Sequence, residues 1–154
     1  MIARTHLAFG FLIALLISPL LSLSSITNKL IFISLVLISS ILPDIDQPNS
    51  KISKNIPILS QIISILSKHR GIFHSLFLAI TFSAAIFFFI SPLFSLAVLI
   101  GYLSHLLIDG FTKKGINFLH PFGHLHLSGF IETGTYSETV VFVLIIAGII
   151  IKII

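Results

Sequence analysis

His105 and Asp109 stand four residues apart in the run Ser104-His105-Leu106-Leu107-Ile108-Asp109. On a helix they project from one face about one turn apart, a spacing that suits two ligands of one metal ion. A pair of carboxylates, Asp44 and Asp46, flanks Ile45; in an extended segment residues two apart point the same way, so both anions would face one point and repel unless a cation joined them. His69 and His74 bracket Arg70-Gly71-Ile72-Phe73. Five apart, they share no helical face, so we place His69 on an approach loop, Gly71 at a bend and His74 in the first turn of the next helix. His6 and Glu138 complete the set of imidazoles and carboxylates near the ends of apolar segments. The chain contains no cysteine, so a metal must be held by nitrogen and oxygen, and disulfides are excluded.

Each of these residues also has an ordinary reading. His105 and Asp109 can form a polar contact between helices, although an anion at a helix C-terminus opposes the macrodipole and calls for a nearby cation, which Lys113 and Lys114 can supply. Asp44 and Asp46 can be solvated turn residues. Glu138 fits a capping box in Thr135-Tyr136-Ser137-Glu138, where the Glu reaches back to the backbone of the helix start. His6, beside Thr5, can simply mark an interface at a helix start, and Arg4 can serve as a topology determinant.

The elements that must position these residues are membrane helices. Hydrophobic residues make up 56% of the chain and charged ones 9%, with a mean hydropathy of +1.14, well outside soluble composition. Five apolar stretches, at about 7–23, 28–42, 74–90, 93–109 and 137–154, approach the ~17–25 residues a spanning helix requires. We therefore expect an all-α polytopic bundle of about five spanning helices in one domain, residues 1–154. A serpentine path through these segments brings His6, Asp44, Asp46, His69, His74, His105, Asp109 and Glu138 into one layer.

Lys and Arg mark the side on which that layer lies. Arg4, Lys51, Lys54, Lys68, Arg70, Lys113 and Lys114 fall in alternate loops, against Lys29 and Lys152 on the other side. The positive-inside rule then puts the N-terminus and the layer in the cytoplasm. The net charge of +4 reads as this topology signal, with some attraction for anionic head groups; without a clustered basic patch, nucleic acid is not an expected partner. Gly10, Ala14, Ser18 and Ser22 recur every four residues, a small-residue stripe that lets helices pack closely and argues for a retained first helix rather than a cleaved signal peptide.

Two polar interludes organise the rest. Pro43 discourages continuation of the second helix, and Ile58, Leu59, Ile62, Ile63, Ile65 and Leu66 then follow near-helical spacing, as in a short helix lying in the interface. Residues 110–136, rich in Gly, His, Thr and aromatics, fit an irregular or β-hairpin flap over the ligands, with His120-Pro121 as loop structure. Four imidazoles and four carboxylates exceed one tetrahedral shell, so two ions sharing a carboxylate fit the count. Zn is the first choice, with Mn or Fe as alternatives.

Thr5-His6, Leu42-Pro43-Asp44-Ile45-Asp46-Gln47-Pro48-Asn49-Ser50, His69-Arg70-Gly71-Ile72-Phe73-His74-Ser75, and Gly101-Tyr102-Leu103-Ser104-His105-Leu106-Leu107-Ile108-Asp109 with Thr112 and Gly115 resemble the YdjM-like family of bacterial inner-membrane proteins. Thr133-Gly134 with Glu138 resembles that family's last motif, so the likeness runs nearly the full chain. It implies a multi-pass protein of the bacterial inner membrane and a metal-dependent hydrolase. More distantly, the His105 and Asp109 spacing is similar to that of zinc-dependent phospholipase C and P1-type nucleases, which implies phosphoester hydrolysis of a phospholipid or other phosphoester. In that scheme the metals lower the pKa of a water, Arg70 binds phosphate oxygens through its planar fork, and Asp46 or Glu138 acts as general base. His124-Leu125-His126 stands where the family often has basic residues. The opposing classes are a noncatalytic scaffold or envelope factor stapled by metals, and an ion transporter; the latter lacks polar groups in mid-membrane.

Overall fold

The computed structural model describes residues 1–21, 23, 25–46 and 71–154. The expected interfacial helix at 58–66, His69 and Arg70 lie outside the described residues.

The described residues form five helices: α1 (Ala3–Ile17), α2 (Ile26–Ser39), α3 (Leu76–Phe89), α4 (Pro92–Gly110) and α5 (Tyr136–Ile153). Local chemistry sets where they begin. The Ser25 hydroxyl caps α2 by accepting from the Thr27 N–H at 3.1 Å, and the Ser75 hydroxyl caps α3 by accepting from Leu78 N–H at 3.4 Å. Helix α4 opens on Pro92, whose missing N–H is no loss in a first turn. Four segments are long and apolar enough to cross a membrane: Ala3–Leu21, Ile26–Asp46, Pro92–Gly110 and Tyr136–Ile153. The third helix, at 14 residues, is shorter than the stretch expected at 74–90, because His74 belongs to a separate 3-10 turn, Ile72–His74, that ends before the Ser75 cap.

Helix α4 is the centre of the bundle and packs against α1, α2 and α3, while α5 packs on α1. The approach of α2 to α4 is close: a Cβ on Gly101 would meet the Val36 carbonyl oxygen at 2.3 Å. The α1 stripe is used the same way, since a Cβ on Gly10 would meet Ser40 at 2.8 Å and Ala14 is fully buried. Apolar groups fill the spaces between, with Ala14, Phe32, Val36 and Ala97 between α1, α2 and α4. In contrast, Phe88, Phe89, Leu144 and Ile151 are exposed, as suits helix faces turned to lipid.

The flap is a hairpin of two short strands, β1 (Ile116–Asn117) and β2 (His126–Leu127), paired antiparallel with Ile116 opposite Leu127. It is fastened at both ends. Thr112 bridges Ile131, and the Phe118 carbonyl accepts the Leu76 N–H at 2.9 Å, tying the hairpin to the start of α3. Gly115 (φ 61°) turns the chain into β1, where a Cβ would lie 2.2 Å from the Leu127 carbonyl oxygen; no other residue type fits there without movement.

Candidate metal centre

The N-terminal ends of α1, α3 and α5 and the C-terminal ends of α2 and α4 meet in one layer. From α1 comes His6; from the 3-10 turn Leu42–Asp46 after α2 come Asp44 and Asp46; His74 precedes α3; His105 and Asp109 come from α4. All six are buried, and the three imidazoles are fully so.

His105 is held most firmly. Its Nδ1 lies 2.8 Å from the Ser40 carbonyl oxygen, so Nδ1–H donates and Nε2 carries the lone pair. That Nε2 is 3.3 Å from His74 Nε2, 3.9 Å from Asp44 Oδ1 and 3.9 Å from Asp109 Oδ2. The His105 and Asp109 pairing expected from their spacing is thus present on one face of α4. His6 stacks on His105 with ring centroids 3.9 Å apart and brings its Nε2 to 3.4 Å from Asp109 Oδ1. The amino group of Met1 also donates to Asp109.

The two carboxylates after α2 differ from expectation. They lie on a 3-10 turn rather than an extended segment, and at roughly 120° per residue such a turn makes positions two apart diverge. They therefore straddle one ring. Asp44 Oδ1 approaches His74 Nε2 at 3.8 Å, and Asp46 Oδ2 approaches His74 Nδ1 at 3.6 Å. Burial alone would lower the basicity of His74, but the Asp44 and Asp46 carboxylates outweigh it and raise its pKa to about 9.

Two overlapping groups have ligand atoms within 4.8 Å of one another: His6, Asp44 and His105; and His74, His105 and Asp109. Such buried His/Asp groups can hold a metal ion. The donor set also fits one on a separate observation. The Nδ1 of His6 is buried without a hydrogen-bond partner among the described residues, an arrangement that costs about 1–3 kcal/mol unless something binds there. Two carboxylates, Asp44 and Asp109, both buried, balance a divalent charge.

Glu138 stands apart from these groups. Its Oε1 accepts from Ile2 N–H at 2.7 Å and from the Thr5 hydroxyl at 2.8 Å, and its Oε2 accepts from Gly134 N–H at 2.7 Å. One carboxylate thus caps α5 and, across the bundle, the start of α1, both ends where the helix dipole favours an anion. The cap reaches Gly134 rather than the Thr135 N–H of a standard capping box, and the Thr135 hydroxyl turns instead to the Glu132 carbonyl.

Tyr102 was missed in the sequence. Its hydroxyl donates to the Phe73 carbonyl at 2.6 Å, holding the turn that carries His74; its place three residues before His105, on the same helical face, was the available signal.

A family model described as YdjM inner membrane protein matches residues 1–153. The chain belongs to the YdjM family. Among curated relatives, the Uncharacterized protein YvsG of Bacillus subtilis (strain 168) is 35% identical over 106 residues, 68% of this chain and 66% of that protein. The inner membrane protein YdjM of Escherichia coli (strain K12) is 32% identical over 91 residues, 55% of this chain and 46% of that protein, and that of Shigella flexneri matches equally. The matched part thus spans just under two thirds of the first relative and under half of the second. No solved structure matches the chain. Family membership and the four apolar helices together make this a YdjM-family inner membrane protein with buried imidazoles and carboxylates at one end of its bundle.

Proposed function

We propose that this YdjM-family chain is a metal-dependent hydrolase, a phosphoesterase acting on a lipid-associated or other phosphorylated substrate at the cytoplasmic interface. The convergence of His6, Asp44, His74, His105 and Asp109 from four separate elements into two ligand groups that share His105 is the observation that carries this reading. A bound Zn2+, or Mn2+ or Fe2+, supplies a water of lowered pKa and polarises a phosphoryl oxygen.

The protein's own part is to hold that site in shape. Ser40 fixes the His105 tautomer, and Asp46 orients His74 through Nδ1, as a carboxylate behind a ligating imidazole does. Because His105 has one nitrogen to offer, and both groups draw on it, one ion accounts for the described donors. A second would require Asp44 or Asp109 to bridge. Glu138, with both carboxylate oxygens engaged by donors, is a poor general base, which leaves Asp46 for that role if it is released from His74. Arg70 remains the proposed phosphate clamp. The N-terminus is cytoplasmic in this reading, from the placement of Lys and Arg.

One observation favours a second reading. Asp44 is 6% exposed and the three imidazoles 0%, and structural metal sites are closed where catalytic ones keep an open position. In that reading the metal staples the helix ends together and performs no chemistry. A transport path is disfavoured because the described ionisable side chains lie at helix ends.

The test is turnover of phosphomonoester and phosphodiester lipids by the protein in nanodiscs loaded with Zn2+ or Mn2+. We expect hydrolysis in the wild type and in Glu138→Gln, and background rates in His105→Ala and Asp109→Ala that still insert. Hydrolysis by either of those alanine variants would contradict the scheme, and an inert wild type whose thermal stability falls on chelation would favour the staple.

A further inference from the structure

On the side of α4 that faces away from the imidazoles, a cavity of about 300 Å³ is lined by Leu106, Leu107, Gly110, Phe111, Phe118, Leu127 and Ser128. Its wall is apolar except for the Ser128 hydroxyl and backbone. Such a space is a poor home for water, which needs several polar partners to be held. We infer that this cavity seats an acyl chain of an anionic phospholipid, a reading that rests on the proposed lipid-associated substrate and deepens it.

What covers the cavity follows from the surface around it. Leu107 is 51% exposed and Phe111 55%, in the last turn and at the C-cap of a helix long and apolar enough to span a membrane, so the mouth opens on the flank that the bilayer would cover. The apolar surface continues over the hairpin, where Phe122 is 81% and Phe130 78% exposed and Phe122 packs edge-on against Phe77 of α3 at 5.1 Å. An exposed apolar patch of this kind, continuous with a lipid-facing helix, marks a membrane contact.

Charge and position fix the rest of the ligand. Exposed Lys113 and Lys114 follow Phe111 by two and three residues, just past the end of an apolar helix; Lys113 is paired with Glu132 at 2.8 Å, which leaves Lys114 as the better partner for a head-group phosphate. Two wall residues are tied through the chain to the elements that carry the candidate ligands. Leu106 is the neighbour of His105, and Phe118, which lines the cavity, accepts from the Leu76 N–H two residues beyond His74.

The experiment uses the full chain in nanodiscs of phosphatidylglycerol carrying a diazirine within one acyl chain, with adducts mapped by mass spectrometry. We expect adducts concentrated several-fold on residues 106–111 and 118–128 over the exposed face of α5, which reports ordinary surrounding lipid. Leu127→Trp and Gly110→Leu, each of which fills the cavity, should bring that excess down to the α5 level. The same probe on phosphatidylcholine should label more weakly, and Lys114→Ala should erase the difference. Labelling that is even over all lipid-facing helices, or unchanged in both filling variants, would overturn the acyl site; equal labelling by the two lipids would overturn the anionic head group. His105→Ala should keep full labelling, so loss of hydrolysis and loss of this site are read separately.

Discussion

Asp46 and Glu138 are both buried carboxylates at helix ends, yet their partners give them different work. Asp46 faces His74 Nδ1, so Asp46→Ala should lower metal affinity by about 10- to 100-fold through loss of ring orientation, while His105→Ala should abolish binding; a chromophoric chelator competition measures both. Glu138 accepts from Ile2, Thr5 and Gly134, so Glu138→Gln should cost about 1–3 kcal/mol of stability and leave the metal content unchanged. An unaltered melting temperature with lost metal would reverse that assignment. His74 makes a third case. Asp44 and Asp46 hold a proton on it up to about pH 9 in the metal-free protein, and a ligating imidazole must be neutral. Metal must therefore displace that proton below pH 9, so apparent affinity rises by about tenfold per pH unit toward 9 and then levels. Calorimetry in buffers of different ionisation enthalpy at pH 7.5 should register about one proton released, and none released would contradict it.

At the scale of elements, the apolar runs made the helices legible, because a spanning segment must satisfy its backbone internally and so leaves a long uninterrupted signature. The His105 and Asp109 face followed from helical spacing alone. What spacing did not disclose was the 3-10 geometry at 42–46 and 72–74: Pro43 announces a break but not the turn that follows, and Asp44 and Asp46 thus straddle His74 instead of pointing together. The role of Tyr102 was equally hidden, since a hydroxyl reaching a backbone carbonyl 29 residues away leaves no local pattern. Close packing of α2 on α4 is a further element-scale property. With a Cβ on Gly101 meeting the Val36 carbonyl at 2.3 Å, Gly101→Ala should push the helices apart and destabilise the bundle by about 1–3 kcal/mol, whereas Gly134→Ala, where no atom lies within 4 Å, meets only the strain of its φ of 82°. Thermal unfolding in detergent compares them, and an unaffected Gly101→Ala would refute the tight crossing.

For the whole molecule, gathering the donors at helix ends lets a chain with little polar surface assemble an ionic site without burying charge in mid-membrane, where each would cost roughly 2.5–3.5 kcal/mol on insertion scales. The same arrangement puts the site and the hairpin at one end of the bundle, and in the orientation we propose from the distribution of Lys and Arg that end is cytoplasmic. The absence of cysteine makes this easy to check with single substitutions: Lys152→Cys should react with an impermeant maleimide in intact cells and Lys114→Cys only after permeabilisation. The central claim, that the layer is a metal centre, is tested most directly by elemental mass spectrometry of the purified wild type beside His105→Ala and Asp44→Ala at matched concentration. The account predicts about one Zn or Mn per chain, or two if a carboxylate bridges, lost in both variants. Wild-type protein without metal above background, even after reconstitution with Zn2+ and Mn2+, would contradict it and leave the cluster a network of buried polar contacts.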